Sequence, residues 1–257
     1  MLRNLIRRLG IAAKHIAPPG TARYRIVQRA SWVLPASLRG NYEADPIAER
    51  LHRFAQRRDD VFFVQVGSHE AQAGDPISLY VKRNGWSGIL VEPVPDLFAR
   101  LQAIYGDTPD LVFENVAIAK EDGRRSFFRL NEAAGEVYEL ADSLGSLDRD
   151  VLLSHHEQVP GIERYLEEIE VPCLSFESLL ARHRVERVDL LHLDTEGYDA
   201  RLLRRFPWDR LEPALVLYEH DHLDKAERDA TEVMLRKRGY ELSWSRTDTL
   251  AEKIGKS

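Results

Sequence analysis

The chain of 257 residues contains a single cysteine, Cys173, which excludes an internal disulfide. Within the stretch from Val171 to Leu174 that thiol reads as a small core residue, and so low a cysteine content suits a reducing compartment. No segment comes near the roughly 18 consecutive apolar residues that would span a bilayer. No apolar stretch followed by a small-residue cleavage site opens the chain, so export by a signal peptide is not expected. The expected location is cytoplasmic, with peripheral contact at the inner membrane surface as an open alternative. Also missing are the second and third glycines of a dinucleotide-binding turn. After Gly67 the run is Ser68-His69-Glu70-Ala71-Gln72-Ala73-Gly74, where G-x-G-x-x-G would be needed, so pyrophosphate binding there is disfavoured.

A composition of 44% hydrophobic and 30% charged residues suits one large globular domain with a small extension. The net charge of −6 is unevenly spread. Residues 1–42 carry eight Lys/Arg and no acid, which leaves 28 basic against 42 acidic side chains beyond them. An acidic body argues against nucleic-acid binding by the main domain. In the basic head, Leu2, Leu5, Ile6, Leu9, Ala12, Ala13 and Ile16 recur at helical spacing between arginines, up to Pro18-Pro19-Gly20. One reading of residues 1–20 is a helix packed on its own domain or on a second copy in a homo-oligomer. Gly10 and the lack of large aromatics favour it over a membrane-surface helix. The expected division is a basic extension over 1–42 and one domain over 43–257.

Beyond residue 43 strands and helices alternate. Strands are expected at 61–67, 88–92, 111–119, 168–174, 188–194 and 215–219, from runs of β-branched and apolar residues that end in glycine or acids. Helices are expected at 45–57, from Pro76, and at 95–105, 175–183, 198–206 and 225–238. Ser175 caps one and Gly239 stops another. Asp122-Gly123 reads as a turn joining 111–119 to 125–130 in a hairpin, and 240–244 with 249–251 as a final hairpin. Residues 131–160 show no clear period. The alternation implies a mostly parallel sheet with helices on both faces.

In such a sheet, ligands sit outside the carboxyl ends of the strands. Gly67 closes the first strand, where a missing β-carbon permits close backbone approach or simply a turn. Glu92 ends the second strand 25 residues later, near the spacing at which an acid binds ribose hydroxyls in doubly wound folds. Asp194 ends the strand 188–194 and is suited to be a general base or a metal ligand. Glu196 is read as a helix-start residue whose charge favours the helix N-terminus. Glu219 and His220, at the next strand end, would complete a site with Asp194, either as oxygen ligands for Mg²⁺ or as an acid–base pair. His220-Asp221-His222 has metal-binding composition but loose spacing, and His155-His156 is expected on the surface.

This ordered set resembles the FkbM-type methyltransferases, a branch of the class I enzymes. The resemblance rests on Val64-Gln65-Val66-Gly67 with Gly74-Asp75-Pro76, on Val91-Glu92-Pro93, and on Asn115-Val116-Ala117-Ile118. It continues in Asp189 to Asp199, Tyr218-Glu219-His220, Arg238-Gly239-Tyr240 and Asp248-Thr249-Leu250-Ala251. It implies a Rossmann-like, mostly parallel seven-stranded sheet behind an N-terminal helical extension. It further implies S-adenosylmethionine as cofactor and a hydroxyl of a small-molecule, saccharide or glycolipid acceptor as methyl recipient. By position, Gln65, Gly67, Ser68 and Glu70 would meet the methionine part of the cofactor. Glu92 would bind its ribose, and Asn115 and Ala117 would lie near its adenine. Asp194 and His220 would be catalytic, and Asp194 with Glu219 would hold Mg²⁺. Relatives continue after the first glycine with Ala-Asn-Asp-Gly, whereas this chain has Ser68-His69-Glu70-Ala71. The alternative is therefore a non-catalytic scaffold that no longer takes cofactor.

Overall fold

A computed structural model describes residues 46–69, 75–106, 108–138 and 141–255. The amphipathic segment 1–20, the boundary expected at residue 43, and Glu70 lie outside the described residues. Two compact units are distinguished, one containing residues 46–59 with Ser243–Ser245, the other Asp60–Leu242 and the residues from Arg246 onward. In the first, helix α1 (Pro46–Arg57) buries Ile47, Leu51, Phe54 and Ala55 along one face, a spacing that follows the 3.6-residue turn. Among the described residues no helix is long and apolar enough to cross a membrane.

A seven-stranded sheet is built from residues beyond Asp60. In chain order its strands are β1 (Phe62–Val66), β2 (Ser87–Val91), β3 (Leu111–Glu114), β8 (Leu190–Leu193), β9 (Leu215–Glu219), β10 (Tyr240–Trp244) and β11 (Asp248–Lys253). They lie in the order β10-β11-β9-β8-β1-β2-β3. Pairing is parallel from β9 through β8, β1 and β2 to β3, and β11 runs antiparallel to β9. The central strands are apolar on both faces, as a sheet covered by helices on both sides requires. Val64, Ile89, Leu191 and Val216 are fully buried. Helices α5 (Phe176–Arg182), α6 (Asp199–Arg205) and α7 (Lys225–Lys237) bury Leu179, Leu180, Ala200, Leu202, Leu203 and Leu235 in the same core. Ser175 caps α5 as its sequence predicts, its Oγ accepting from the Ser178 N–H at 3.1 Å. Helices α2 (Ser78–Asn84) and α3 (Pro95–Tyr105) follow β1 and β2. The chain leaves β1 toward β2 on one side and returns as β8 on the other, so the order reverses beside β1. That is where open α/β sheets bind ligands.

The stretch 111–119 is not one strand and forms no hairpin with 125–130. It breaks at Asn115, whose Nδ2 donates to the backbone oxygens of Glu92 (2.8 Å) and Pro93 (3.1 Å). The chain then turns into β4 (Ala117–Ile118), part of a second, four-stranded sheet ordered β4-β7-β5-β6. There β5 (Gly123–Leu130) pairs antiparallel with β7 (Leu166–Leu174), and β6 (Gly145–Ser146) closes the edge. Complementary side chains fix that pairing. Arg129 Nε lies 2.8 Å from Glu167 Oε2, and Arg124 pairs with Glu170. Phe127 packs with Ala117, Val171, Cys173, Val94 and Leu97. The aperiodic segment 131–162 forms short 3₁₀ turns and helix α4 (Arg149–Leu153) around Leu130, Ala134, Ala141, Leu144, Leu152, Val159 and Ile162.

Candidate active site

A cavity of about 650 Å³ opens at the carboxyl ends of β1, β2, β8 and β9. The second sheet and the segment 142–147 supply its remaining walls. Of the residues singled out in the sequence, Gln65, Gly67, Ser68, Glu92, Ala117, Asp194 and Glu219 all line it. Asn115 does not; its amide ties down the backbone of Glu92 and Pro93 from behind. His220 does not either. It is buried, with Nδ1 2.9 Å from Thr249 Oγ1.

Gly67 stands at the crossing of three strands. Its N–H donates to Val91 O at 3.0 Å, and the Ser68 N–H to the same oxygen at 3.1 Å. Its φ of 79° lies in the left-handed region. The two amides that might have faced a ligand are thereby committed to the sheet. His69 follows at φ 45°, and its N–H donates instead to Glu92 Oε2 at 2.9 Å. The Val94 N–H holds Glu92 Oε1 at 2.9 Å. Glu92 is thus a rigid, 4% exposed carboxyl. Burial pushes its pKa up to about 7 despite those two hydrogen bonds. Gln65 is buried beside it, with Nε2 donating to Asp75 Oδ2 at 3.3 Å and Oε1 without a partner. His192, one side chain before the end of β8, also lines the cavity with its Nδ1 unpartnered.

At the other end, carboxylate oxygens of Asp194, Glu196 and Glu219 lie within 4.8 Å of one another. Asp194 is open to the cavity, with protein closing round its other sides. Enclosure and the charges of Glu196, Asp199 and Asp248 together hold its carboxyl well above the usual range. Since the side chain keeps contact with water, that direction rests chiefly on the neighbouring carboxylates. Glu219 is raised too, by burial and then by Glu196 and Asp194. Glu196, at φ 52°, does not start the following helix. Asp199 serves that turn, its Oδ2 accepting from Thr195 N–H (3.2 Å) and Oγ1 (2.7 Å). Burial raises Asp199 to about 6. Glu196 instead lies 3.3 Å from His222 Nε2, which is also 3.6 Å from Glu219. Burial would lower the His222 pKa, but its hydrogen bond with Glu196 and that charge raise it.

The histidine that meets the acid cluster, through Glu196 and Glu219, is therefore His222 and not His220. The pattern His220-Asp221-His222 marked the loop, but no local signal chose between the two rings. His155, expected on the surface, is 2% exposed and packs against His222 with ring centroids 4.1 Å apart. Nothing in the pair His155-His156 distinguishes the buried ring, because its burial is made by the fold of 131–162.

Several solved structures align with the chain at low identity. The methyltransferase FkbM from Methylobacillus flagellatus KT aligns at 12% identity and a TM-score of 0.45, over 75% of this chain and 44% of that one. Aeropyrum pernix fibrillarin in complex with natively bound S-adenosyl-L-methionine aligns at 14% identity and 0.39, over 76% and 66%. The Methanococcus jannaschii fibrillarin pre-rRNA processing protein aligns at 9% identity and 0.38, over 77% and 69%. A comparison with curated proteins finds no match. The family model for the methyltransferase FkbM domain matches residues 65–242, which span every residue of the cavity wall named above. With its Rossmann-like class I sheet, the chain belongs to the FkbM methyltransferase family, whose methyl donor is S-adenosylmethionine.

Proposed function

We propose that the protein transfers the methyl group of S-adenosylmethionine to a hydroxyl of a small-molecule or saccharide acceptor, glycolipids included. The observation that carries this reading is the meeting of Asp194, Glu196 and Glu219 in the cavity that also holds Glu92. A hydroxyl is a poor nucleophile until its proton is removed, and a carboxylate with a raised pKa is a base matched to neutral pH.

The wall is suited to the cofactor. S-adenosylmethionine presents donors: an ammonium, two ribose hydroxyls and an adenine amine. Gln65 Oε1 is a buried acceptor without a partner, and the Glu92 carboxylate, though held by two amides, keeps lone pairs for vicinal hydroxyls. Ala117, Val94, Leu97 and Phe127 form an apolar wall next to Glu92 that fits a flat base. The Gly67 and Ser68 amides are committed to Val91, so this part of the wall offers the cofactor side-chain acceptors.

When bound, the cofactor supplies an electrophilic methyl on a sulfonium. Glu92 and Gln65 would orient it. Asp194 would accept the acceptor's hydroxyl proton as the oxygen–carbon bond forms, and the electrons of the breaking carbon–sulfur bond stay on sulfur. Glu219 shares the cluster and would keep the Asp194 carboxyl basic by like-charge repulsion. The oxygen-only pair of Asp194 and Glu219 also suits Mg²⁺, which would lower the hydroxyl's pKa and orient it.

The test is a calorimetric titration with S-adenosylmethionine, with and without Mg²⁺, followed by transfer of labelled methyl to panels of hydroxyl and amine acceptors. Binding together with label on hydroxyls supports the reading. Label confined to amines would overturn O-methylation, and no binding at millimolar cofactor would favour a scaffold.

A further inference from the structure

We propose that His155, Glu196 and His222 form a site for a divalent transition-metal ion such as Zn²⁺, distinct from the oxygen-only pair of Asp194 and Glu219. One ring nitrogen of each histidine and a carboxylate oxygen of Glu196 lie within 4.8 Å of one another. Two imidazoles and one carboxylate is a ligand set used by zinc sites that keep a coordination position open. Imidazole nitrogen selects such ions over Mg²⁺ or Ca²⁺.

His155 supplies the first argument. Its Nδ1 lies 2.9 Å from Gln158 Oε1, an acceptor, so the bond assigns the proton to Nδ1 and the lone pair to Nε2. Nε2 is buried and makes no hydrogen bond of normal geometry, although the ring also lies near the Glu196 backbone. An imidazole with one nitrogen pinned by a donated hydrogen bond and the other bare is in the state that a metal ligand requires.

Charge supplies the second. Among the described residues, Glu196 and Glu219 share a single ion-pair partner, His222. Two partly buried carboxylates crowd one imidazole there, a density of ligand atoms that a dication would satisfy.

The third is placement. His155 comes from the covering segment 131–162, Glu196 from the left-handed turn after β8, and His222 from the turn after β9. Their convergence is a product of tertiary structure, with the two rings tilted at 47°. An ion there would clasp the covering segment to the strand ends. On the reading proposed above, the ion would sit behind Glu196, which alone of the three ligands lines the cavity.

The experiment uses the full chain, freed of metal by chelation and titrated with Zn²⁺ by calorimetry and with Co²⁺ by visible absorption. We expect saturable uptake of one ion per chain. His155→Gln and His222→Gln should each weaken it about 100-fold or more, since even outer-shell losses cost about 10–100-fold. Asp194→Asn should change it no more than a few-fold. Absence of saturable uptake at millimolar Zn²⁺ would overturn the site, as would unchanged affinity in both histidine variants. Loss confined to Asp194→Asn would move the ion to the carboxylate pair. Should a histidine variant fail to fold, imidazole ¹⁵N spectra of the wild type decide: both His155 and His222 should shift with Zn²⁺, and no shift in either overturns the proposal. No readout depends on methyl transfer, so a failure of that reaction would leave this result standing.

Discussion

Gly67 faces the backbone of Asp194 so closely that a β-carbon on it would stand 1.7 Å from the Asp194 carbonyl oxygen. The glycine that closes the first strand is therefore fixed by the protein's own chain, not only by a ligand. Its left-handed φ of 79° adds a second demand for glycine. Gly67→Ala should destabilise the protein by about 3 kcal/mol or more, combining left-handed strain with overpacking. Chemical denaturation measures this. A change below about 1 kcal/mol would show that the two strand ends move apart cheaply.

Glu92 carries the pH dependence of cofactor binding. Its pKa is raised to about 7 in the free protein, against an ordinary value near 4.5, so the folded state holds a proton that the unfolded state has released. This group's contribution to stability is full below the unfolded value and is lost as pH rises through about 7. Ribose hydroxyls donate to the ionised form. S-adenosylmethionine should thus bind more tightly at pH 8 than at pH 6, with proton release, as calorimetry in buffers of different ionisation enthalpy would read. In Glu92→Gln the affinity should fall and its slope with pH flatten. An unchanged affinity would remove Glu92 from the cofactor site.

Asp199 shows the same sign in a purely structural setting. Its raised pKa of about 6 means that stability declines as pH climbs from near 4 through 6, by on the order of 1–3 kcal/mol. Asp199→Asn keeps an oxygen to accept from Thr195 and removes the buried charge. We expect it to fold, with that part of the decline abolished. Asp199→Ala leaves the Thr195 N–H and hydroxyl without their acceptor and should cost about 1–3 kcal/mol at pH 5. Urea midpoints across pH 4–8 for the two variants separate the effects.

Asp194→Asn tests the chemistry. Turnover should fall by at least about 100-fold, the usual worth of a general base, with cofactor affinity nearly intact. The ratio of kcat to cofactor Kd is the readout. Full turnover would transfer the proton-accepting role to Glu219 or Glu196.

What the sequence reveals and what it hides divide along local and non-local physics. Strands β1, β2, β8 and β9 are legible because each is a short apolar run that ends in glycine or an acid, and Glu92, Asp194 and Glu219 fall where such runs stop. The second sheet is not. Its strand β4 has two residues, and the segment 166–174 alternates charge and apolar residues in a way that suits either sheet. Its partner is set by the ladder with β5 and the packing of Phe127 on Val171 and Cys173, with Arg124 and Arg129 facing Glu170 and Glu167. Glu196 illustrates the same limit. Its acid two places from Asp194 suggests a helix start, but Asp199 already binds the Thr195 amide, and the left-handed turn at Glu196 aims it toward His222.

Arg201 and Asp148 join the segment over the cavity to helix α6, 2.6 Å apart. Asp148 also caps α4 by accepting from the Asp150 N–H at 3.1 Å. The hydrogen bond from Arg201 holds the Asp148 pKa below the usual carboxylate range, so its stabilisation is present above the unfolded value and is lost as pH falls through the lowered one. Both side chains keep much of their water, so the pair is worth no more than about 1 kcal/mol globally. Its larger effect should be local. Arg201→Ala should leave the melting temperature nearly unchanged and speed proteolysis within 131–162. If that segment covers the acceptor, KM for the acceptor should rise while cofactor affinity holds. Equal protease resistance in variant and wild type would show that the apolar cluster around Leu152 and Ile162 alone keeps the segment in place.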